Sequence, residues 1–200
     1  AGSVESIREI TAQTLYDCHK AFYTPANMCL VVVGDVDAEQ VLHLAEEILP
    51  KTSGVQIPRD YGQEEPLIPH QKEIRSRMEV AMPSFLAGFK CPPQHGGEEQ
   101  MRSTALGELA VDVLAGESSP LYARLYSQGL INGSFGCSYD ILPGAAYVYL
   151  GGDSNDPNAV VRAVLEEAQR LVREGLDEAY YLRLRNANFG TALKALNSFE

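Results

Sequence analysis

The residues best suited to metal chemistry are two histidines, each followed closely by glutamates. The stretch HLAEE begins at His43 and the stretch HGGEE begins at His95, so both follow the pattern HxxEE. A zinc hydrolase site of the HxxEH type needs a second histidine on the same helical face, with the glutamate as general base. Neither stretch has that histidine, and the four histidines of the chain are not clustered. The sequence therefore predicts no metal site in this chain.

Arg124 is the other residue that could do chemistry. It lies on a short predicted helix that leads into a strand, and an arginine at a helix end can hold a carbonyl or carboxylate group. Lone arginines are more often solvated or structural. The serines before Pro120 are explained by helix capping, and no GxSxG motif is present. By its position Arg124 could thus hold a carbonyl or carboxylate group, and the sequence predicts no catalytic residue.

The turn at Gly34 follows an apolar run and precedes a helix, an arrangement that can bind phosphate. A phosphate cradle needs several converging backbone N–H groups, which usually takes more glycine and often a lysine. Here Asp35 and Asp37 stand where the phosphate would lie, and their charge would repel it. We predict a scaffold turn with Asp37 as the helix cap, and a nucleotide-binding domain is the weaker alternative.

Composition excludes several classes of partner. The net charge of -11 means that nucleic acid and anionic membranes are repelled. No apolar run approaches the ~20 residues of a membrane helix. The four cysteines are widely spaced, without a CxxC pair, and indicate neither a disulfide framework nor a zinc knuckle. We expect a cytoplasmic protein with no nucleic acid or membrane partner.

Periodicity and capping residues predict an α+β chain. Strands are predicted at residues 28–33, 71–80, 84–91, 134–141 and 145–150, from their apolar and β-branched content. Between and around them lie helices whose starts are marked by Thr11, Asp37, Ser118 or Ser119, Asp156 and Asp177. Residues 51–70 are rich in proline and glycine and predict a connector between two lobes. The last predicted helix reaches Glu200 without a stop signal, which is typical of a piece of a longer protein.

Three stretches together resemble the insulinase/pitrilysin family of zinc metallopeptidases. They are SVESIREIT, FYTPANMCLVVVGDVDAEQVLHLAEEIL and AGESSPLYARLYSQGLI. The family shows a Ser-Ile-x-x-Ile-Thr segment, a Tyr-x-Pro-x-Asn-Met turn, a strand ending in Val-Gly-Asp, and Ser-Ser-Pro-Leu-Tyr before a helix, and all of these stand here in order. The opening AGSVESI and the FYTPANM turn look most like bacterial members of half length.

The resemblance implies two-layer lobes of mainly antiparallel sheet, with helices packed on one side. It places the end of the first lobe at residues 1–50, a linker at 51–70, and a second lobe, truncated at its C-terminus, at 71–200. In the family, two lobes make one half, and two halves close around an unfolded peptide. The zinc site, HxxEH with a downstream glutamate, is expected upstream of residue 1, in the longer protein that we call the parent.

The resemblance also bears on Arg124. The family's second catalytic element is an arginine followed seven residues later by a tyrosine. This pair contacts the substrate carbonyl. Arg124 matches the arginine, but the tyrosine position is Ile131, and Tyr139 lies at the wrong spacing. We therefore expect Arg124 at most to touch substrate, and the complete pair to come from a partner.

These observations predict a non-catalytic C-terminal region of an insulinase-like zinc peptidase. It would form chamber wall, peptide-binding surface and partner surface, with a homologous subunit or a second copy as partner. The parent would hydrolyse peptide bonds with zinc-activated water, while this chain alone would hold no zinc and show no activity. The alternative is a structural or partner subunit of the same family that lacks zinc and activity.

Overall fold

The computed structural model describes residues 2–49, 57–63 and 65–198. These fall into two compact units that divide between Asp60 and Tyr61, with Ser198 grouped with the first. Among the described residues, no helix combines the length and apolar character needed to cross a membrane. The lobe boundaries near residues 50 and 70 stay predictions.

The first unit is built from short helices, and its three α-helices have side-chain N-caps at Ser3, Thr11 and Asp37. They are α1 (Val4–Arg8), α2 (Ala12–Phe22), a 3-10 turn (Pro25–Asn27) and α3 (Ala38–Ile48). Thr11 and Thr14 form a reciprocal capping box at the start of α2. The Asp37 carboxylate accepts hydrogen bonds from the amides of Glu39 (2.9 Å) and Gln40 (3.2 Å). This confirms the prediction that Asp37 caps a helix.

Two of the predicted strands are absent from the described structure. Residues 28–33 and 71–80 form neither helix nor strand, and Val31 is 74% exposed. A strand is held by hydrogen bonds to a neighbouring strand, so β-branched composition alone does not create one. Within the described residues, neither segment pairs with another, and both strand predictions were therefore wrong for this chain.

The second unit contains a three-stranded antiparallel sheet. Its strands are β1 (Ser84–Cys91), β2 (Gly136–Leu142) and β3 (Ala145–Asp153), in the spatial order β1-β3-β2. The tight turn at Pro143 and Gly144 joins β2 to β3, and Gly144 takes φ 78°, which suits glycine. The predicted hairpin and the strand at residues 84–91 are confirmed.

Four helices belong to the same unit. They are α4 (Gly97–Ala115), α5 (Pro120–Ser127), α6 (Pro157–Glu174) and α7 (Glu178–Ala195). The side chains of Ser119, Asp156 and Asp177 accept backbone hydrogen bonds at the starts of the last three. This confirms the predicted caps Asp156 and Asp177 and selects Ser119 over Ser118 as the cap of α5. The α7 helix ends at Ala195, because the amides of Leu196 and Asn197 bond three residues back. The prediction that it continues to Glu200 was wrong.

The core of the second unit lies between one face of the sheet and the helices. Leu150 on β3 is almost fully buried in a cluster with Leu121, Leu125, Val160 and Val164 of the helices. A smaller cluster joins Val111 of α4 to Tyr139 of β2 and Ala146 of β3. The predicted class, an α+β fold with an antiparallel sheet and helices on one side, is confirmed.

Candidate functional site: the open face of the sheet

The face of the sheet away from the helices carries a row of large side chains. Successive residues of a strand point to opposite faces, so the burial of Leu150 and Ala146 places Tyr147 and Tyr149 on the other face. The two rings lie 5.9 Å apart between centroids, tilted by 44°. Leu86 of β1 pairs with Gly151 and is 74% exposed. We call the surface formed by Leu86, Gly88, Lys90, Ser138, Asp140, Tyr147 and Tyr149 the open face.

The strand register arranges the open face in rows. Lys90 of β1, Tyr147 of β3 and Asp140 of β2 stand side by side, so a cation and an anion flank an aromatic ring. In the next row Tyr149 stands between Gly88 and Ser138. Because Gly88 has no side chain, the direct neighbour of Tyr149 on β1 does not cover its ring, and Tyr149 is partly exposed. The open face therefore combines aromatic surface with one charge of each sign at its edges.

A groove of about 930 Å³ lies over the open face. Its walls include Leu86, Tyr147 and Tyr149 of the strands, together with Leu67 and Pro69 from the chain before β1. A volume of this order suits a short stretch of polypeptide or a small organic ligand. This groove was not predicted from the sequence, although the alternation Tyr147-x-Tyr149 in a predicted strand indicates two tyrosines on one face of a sheet.

Arg124 lies in the helix layer, while the open face is on the other side of the sheet. On α5 its Nη2 atom is 4.0 Å from Oε2 of Glu167 on α6, and its side chain is half exposed. Ile131 is 4% exposed and belongs to the core cluster around Leu150. The structure thus gives Arg124 an internal carboxylate partner and uses Ile131 for packing. That Arg124 contacts substrate stays a prediction.

Glu167 is the buried charge of this helix layer. It is only 6% exposed, and Arg170 donates to its Oε1 atom from Nη2 (2.7 Å) and Nε (3.2 Å). These hydrogen bonds hold the pKa of the Glu167 carboxyl below its usual range, and the charges of Arg170 and Arg124 add to the effect against the opposing cost of burial. Arg170 also reaches Glu174 on the surface at 3.1 Å.

Glu167→Gln should lower the free energy of unfolding by roughly 1–3 kcal/mol at pH 7, because it removes the charge that the two arginines neutralise. A lowered folded-state pKa gives stability that is present above the unfolded pKa and lost as pH falls below it. Wild type should therefore lose more stability than the variant between about pH 5 and pH 3, where an unfolded glutamate titrates. Urea unfolding at several pH values measures both effects.

Glu174→Gln is the matched control, because Glu174 pairs with the same arginine but is exposed. A surface pair of this kind contributes about 0–1 kcal/mol. Equal losses from Glu167→Gln and Glu174→Gln would contradict the assignment of Glu167 as the buried centre of the network.

The predicted absence of a metal site concerned His43 and His95. His43 lies on α3 with its Nδ1 atom 4.0 Å from Glu47, and both side chains are exposed. His95 precedes α4, whose first turn carries the acidic residues of the second HxxEE stretch. Over residues 2–49, 57–63 and 65–198, no three His, Cys, Asp or Glu side chains are grouped so that they could hold a metal ion. The described residues therefore do not fit a zinc ion.

Cys137 is not a candidate nucleophile. It lies on β2 against the core, and burial, with a smaller contribution from the charge of Asp112, raises the pKa of its thiol to about 11. A nucleophilic cysteine needs the opposite shift, since the thiolate is the reactive form.

Fold and site together define an α+β domain whose sheet is packed by helices on one face and carries an aromatic groove on the other. The chain matches the family described as the peptidase M16 inactive domain over residues 9–188. Because this match spans most of the 200 residues, the chain belongs to that family. The resemblance to insulinase-like peptidases is thereby confirmed.

Individual relatives agree with this assignment. YmfH of Bacillus subtilis, described as an uncharacterised zinc protease, is 34% identical over 206 residues, which cover 100% of this chain and 47% of YmfH. A crystal structure of an M16-like peptidase from Alicyclobacillus acidocaldarius is 31% identical with a TM-score of 0.79, over 99% of this chain and 47% of that one. A protease from Helicobacter pylori, at 20% identity, TM-score 0.76 and coverage of 98% and 48%, shares the fold. The chain spans about half the length of these relatives.

Proposed function

We propose that this chain forms one wall of a peptide-binding chamber in a parent zinc peptidase. The observation that carries the proposal is the open face, where Tyr147, Tyr149 and Leu86 remain partly or largely exposed although the opposite face is packed by helices. Exposed aromatic and apolar surface of this kind marks a binding site. Membership of an inactive-domain family supports a binding role without catalysis.

Hydrolysis belongs to the parent in this proposal. Zinc, held outside the described residues, would supply activated water for attack on the peptide carbonyl. The part played by this chain is to hold the substrate. The tyrosine rings would cover apolar side chains, and the outer edges of β1 and β2, which pair with no other strand among the described residues, would offer backbone hydrogen bonds to an extended polypeptide. The match to YmfH, described as a zinc protease, supports zinc in the parent.

The double substitution Tyr147→Ser with Tyr149→Ser tests the proposal. The probe is reduced, carboxymethylated lactalbumin, an unfolded polypeptide, and its binding to the chain is measured by interferometry. We expect at least a tenfold loss of affinity, because both rings leave the open face. Tyr126→Ser is the control, since Tyr126 is exposed on α5 in the helix layer. If the control weakens binding as much as the double substitution, the open face is not the binding surface.

Two further proposals concern partner and Arg124. We propose that the parent pairs with a homologous subunit or with a second copy of itself. A parent that light scattering shows to be a monomer at micromolar concentration would contradict this.

We also propose that Arg124 contacts the substrate. Arg124→Ala should then lower kcat/KM of the parent, whereas an arginine that acts only through Glu167 would, when replaced, lower only stability. A cytoplasmic location stays a prediction from the cysteine pattern.

A further inference from the structure

One part of the open face is occupied by the chain itself. Residues 65–69, which form neither helix nor strand, lie against the hairpin and β1. The Glu65 amide donates to the Gly144 carbonyl at 3.0 Å, so the segment bonds to the turn between β2 and β3. Leu67 and Pro69 of the same segment line the groove together with Tyr147. The segment thus lies on the open face, with its backbone bent at Leu67 and Ile68.

Lys90 recognises this segment through two groups. Its Nζ atom donates to the Glu65 carboxylate at 2.8 Å and to the Pro66 carbonyl at 3.1 Å. Lys90 is the only cationic side chain among the described residues that line the groove. The bond from Lys90 also holds the pKa of the Glu65 carboxyl below its usual range. A carboxylate followed by a backbone carbonyl is therefore what this corner of the groove binds.

We propose that residues 65–69 act as an internal, displaceable occupant of the open face, and that the same face binds a peptide whose acidic side chain pairs with Lys90 and whose following apolar residues cover Tyr147 and Tyr149. This inference rests on the proposed function. It adds a preference for an acidic residue followed by apolar residues, and an internal segment that must leave before a peptide binds.

The contacts explain why the occupant is displaceable. The Glu65 side chain is 61% exposed, so water screens its pairing with Lys90 and the pair holds the segment weakly. Being part of the same chain compensates for weak contacts, because tethering keeps the local concentration of the segment high. A free peptide with the same groups therefore competes poorly with residues 65–69 in the wild-type chain. It competes better once the Glu65 carboxylate is removed.

The test uses a fluorescein-labelled peptide containing Glu-Pro-Leu-Ile-Pro, in the order of residues 65–69, and anisotropy titration of the 200-residue chain. We expect Glu65→Gln to tighten binding of the labelled peptide about two- to fivefold, as the loss of an exposed ion pair allows. A Gly/Ser replacement of residues 65–69, which also removes Leu67 and Pro69 from the groove, should tighten it at least tenfold. Adding Lys90→Gln should abolish the gain in affinity for the peptide. A peptide with glutamine in place of glutamate should bind the Glu65→Gln chain at least fivefold more weakly. Glu73→Gln is the matched control, since Glu73 is equally exposed and pairs with Arg75 in the neighbouring segment.

Three results would overturn the inference. The first is an unchanged affinity for the peptide in both variants of the 65–69 segment. The others are a gain in affinity that persists when Lys90→Gln is added, and an equal gain in affinity from Glu73→Gln. Carboxymethylated lactalbumin separates this failure from failure of the proposed function. If lactalbumin binding depends on Tyr147 and Tyr149 while Lys90→Gln leaves the affinity for the labelled peptide unchanged, the open face binds polypeptide without a preference for an acidic residue. If neither probe binds any variant, both proposals fail.

Discussion

Gly107→Ala is expected to destabilise the second unit by about 3 kcal/mol, because the added methyl group has no room beside β2. A Cβ atom at position 107 would overlap the Tyr139 ring, with Cε1 and Cγ each only 2.5 Å away. The ring is 8% exposed between Val111 and Ala146, and its hydroxyl bonds Ser103 Oγ at 3.0 Å. Because the ring is held on all these sides, the strain must move α4 away from β2. Urea unfolding followed by circular dichroism measures the loss.

Gly190→Ala is the matched control for this prediction. Gly190 is also a helical glycine, on α7, but a Cβ there meets no atom within 4 Å. Alanine is favoured over glycine inside helices, so this variant should gain about 0.5–1 kcal/mol. In the Tyr139→Leu background the added cost of Gly107→Ala should fall by at least half, since the smaller side chain leaves room. A cost below about 1 kcal/mol with Tyr139 intact would contradict the predicted overlap.

Leu150→Ala should lower the free energy of unfolding by about 2–5 kcal/mol. Leu150 is 1% exposed at the centre of the larger core cluster, so truncation removes apolar contacts and leaves a cavity between sheet and helices. The measurement is again urea unfolding. The slope of unfolding free energy against urea concentration should match that of wild type, which shows that the change is one of stability.

Leu86→Ala, in the same sheet, provides the comparison that matters for function. Leu86 is 74% exposed on the open face, and its truncation should change stability by no more than about 0.5 kcal/mol. The contrast between the two leucines tests which face of the sheet is packed and which is open. Equal losses would mean that the open face is covered in solution, and the surface on which the proposed function depends would be absent.

The elements that the sequence predicted well are those fixed by nearby residues. Asp37, Ser119, Asp156 and Asp177 each accept a backbone hydrogen bond from an amide two or three residues onward, so their position in the sequence is enough to start a helix. The β2–β3 hairpin was predictable for the same reason, because its strands are joined by one tight turn. The motifs of the family are also local, and they identified its class.

The candidate site was much less predictable, because its residues meet only through strand pairing. Lys90, Tyr147 and Asp140 form one row because β3 lies between β1 and β2, an order that does not follow the chain. Burial of Ile131 and the approach of Glu167 to Arg124 likewise depend on helix packing. Arg124 was therefore a candidate from the sequence, whereas Tyr147 and Tyr149 were not.

By itself, the sequence determined the capped helices, the hairpin and membership of the insulinase-like family, since each is encoded in short contiguous stretches. Tertiary structure alone decided which apolar segments become strands, which sheet face stays open, and that Glu65 pairs with Lys90. The physical reason is that a strand, a buried charge and a groove each require groups far apart in the chain to meet. Residues 28–33 show this most directly, because their composition favours a strand while the described chain offers them no partner.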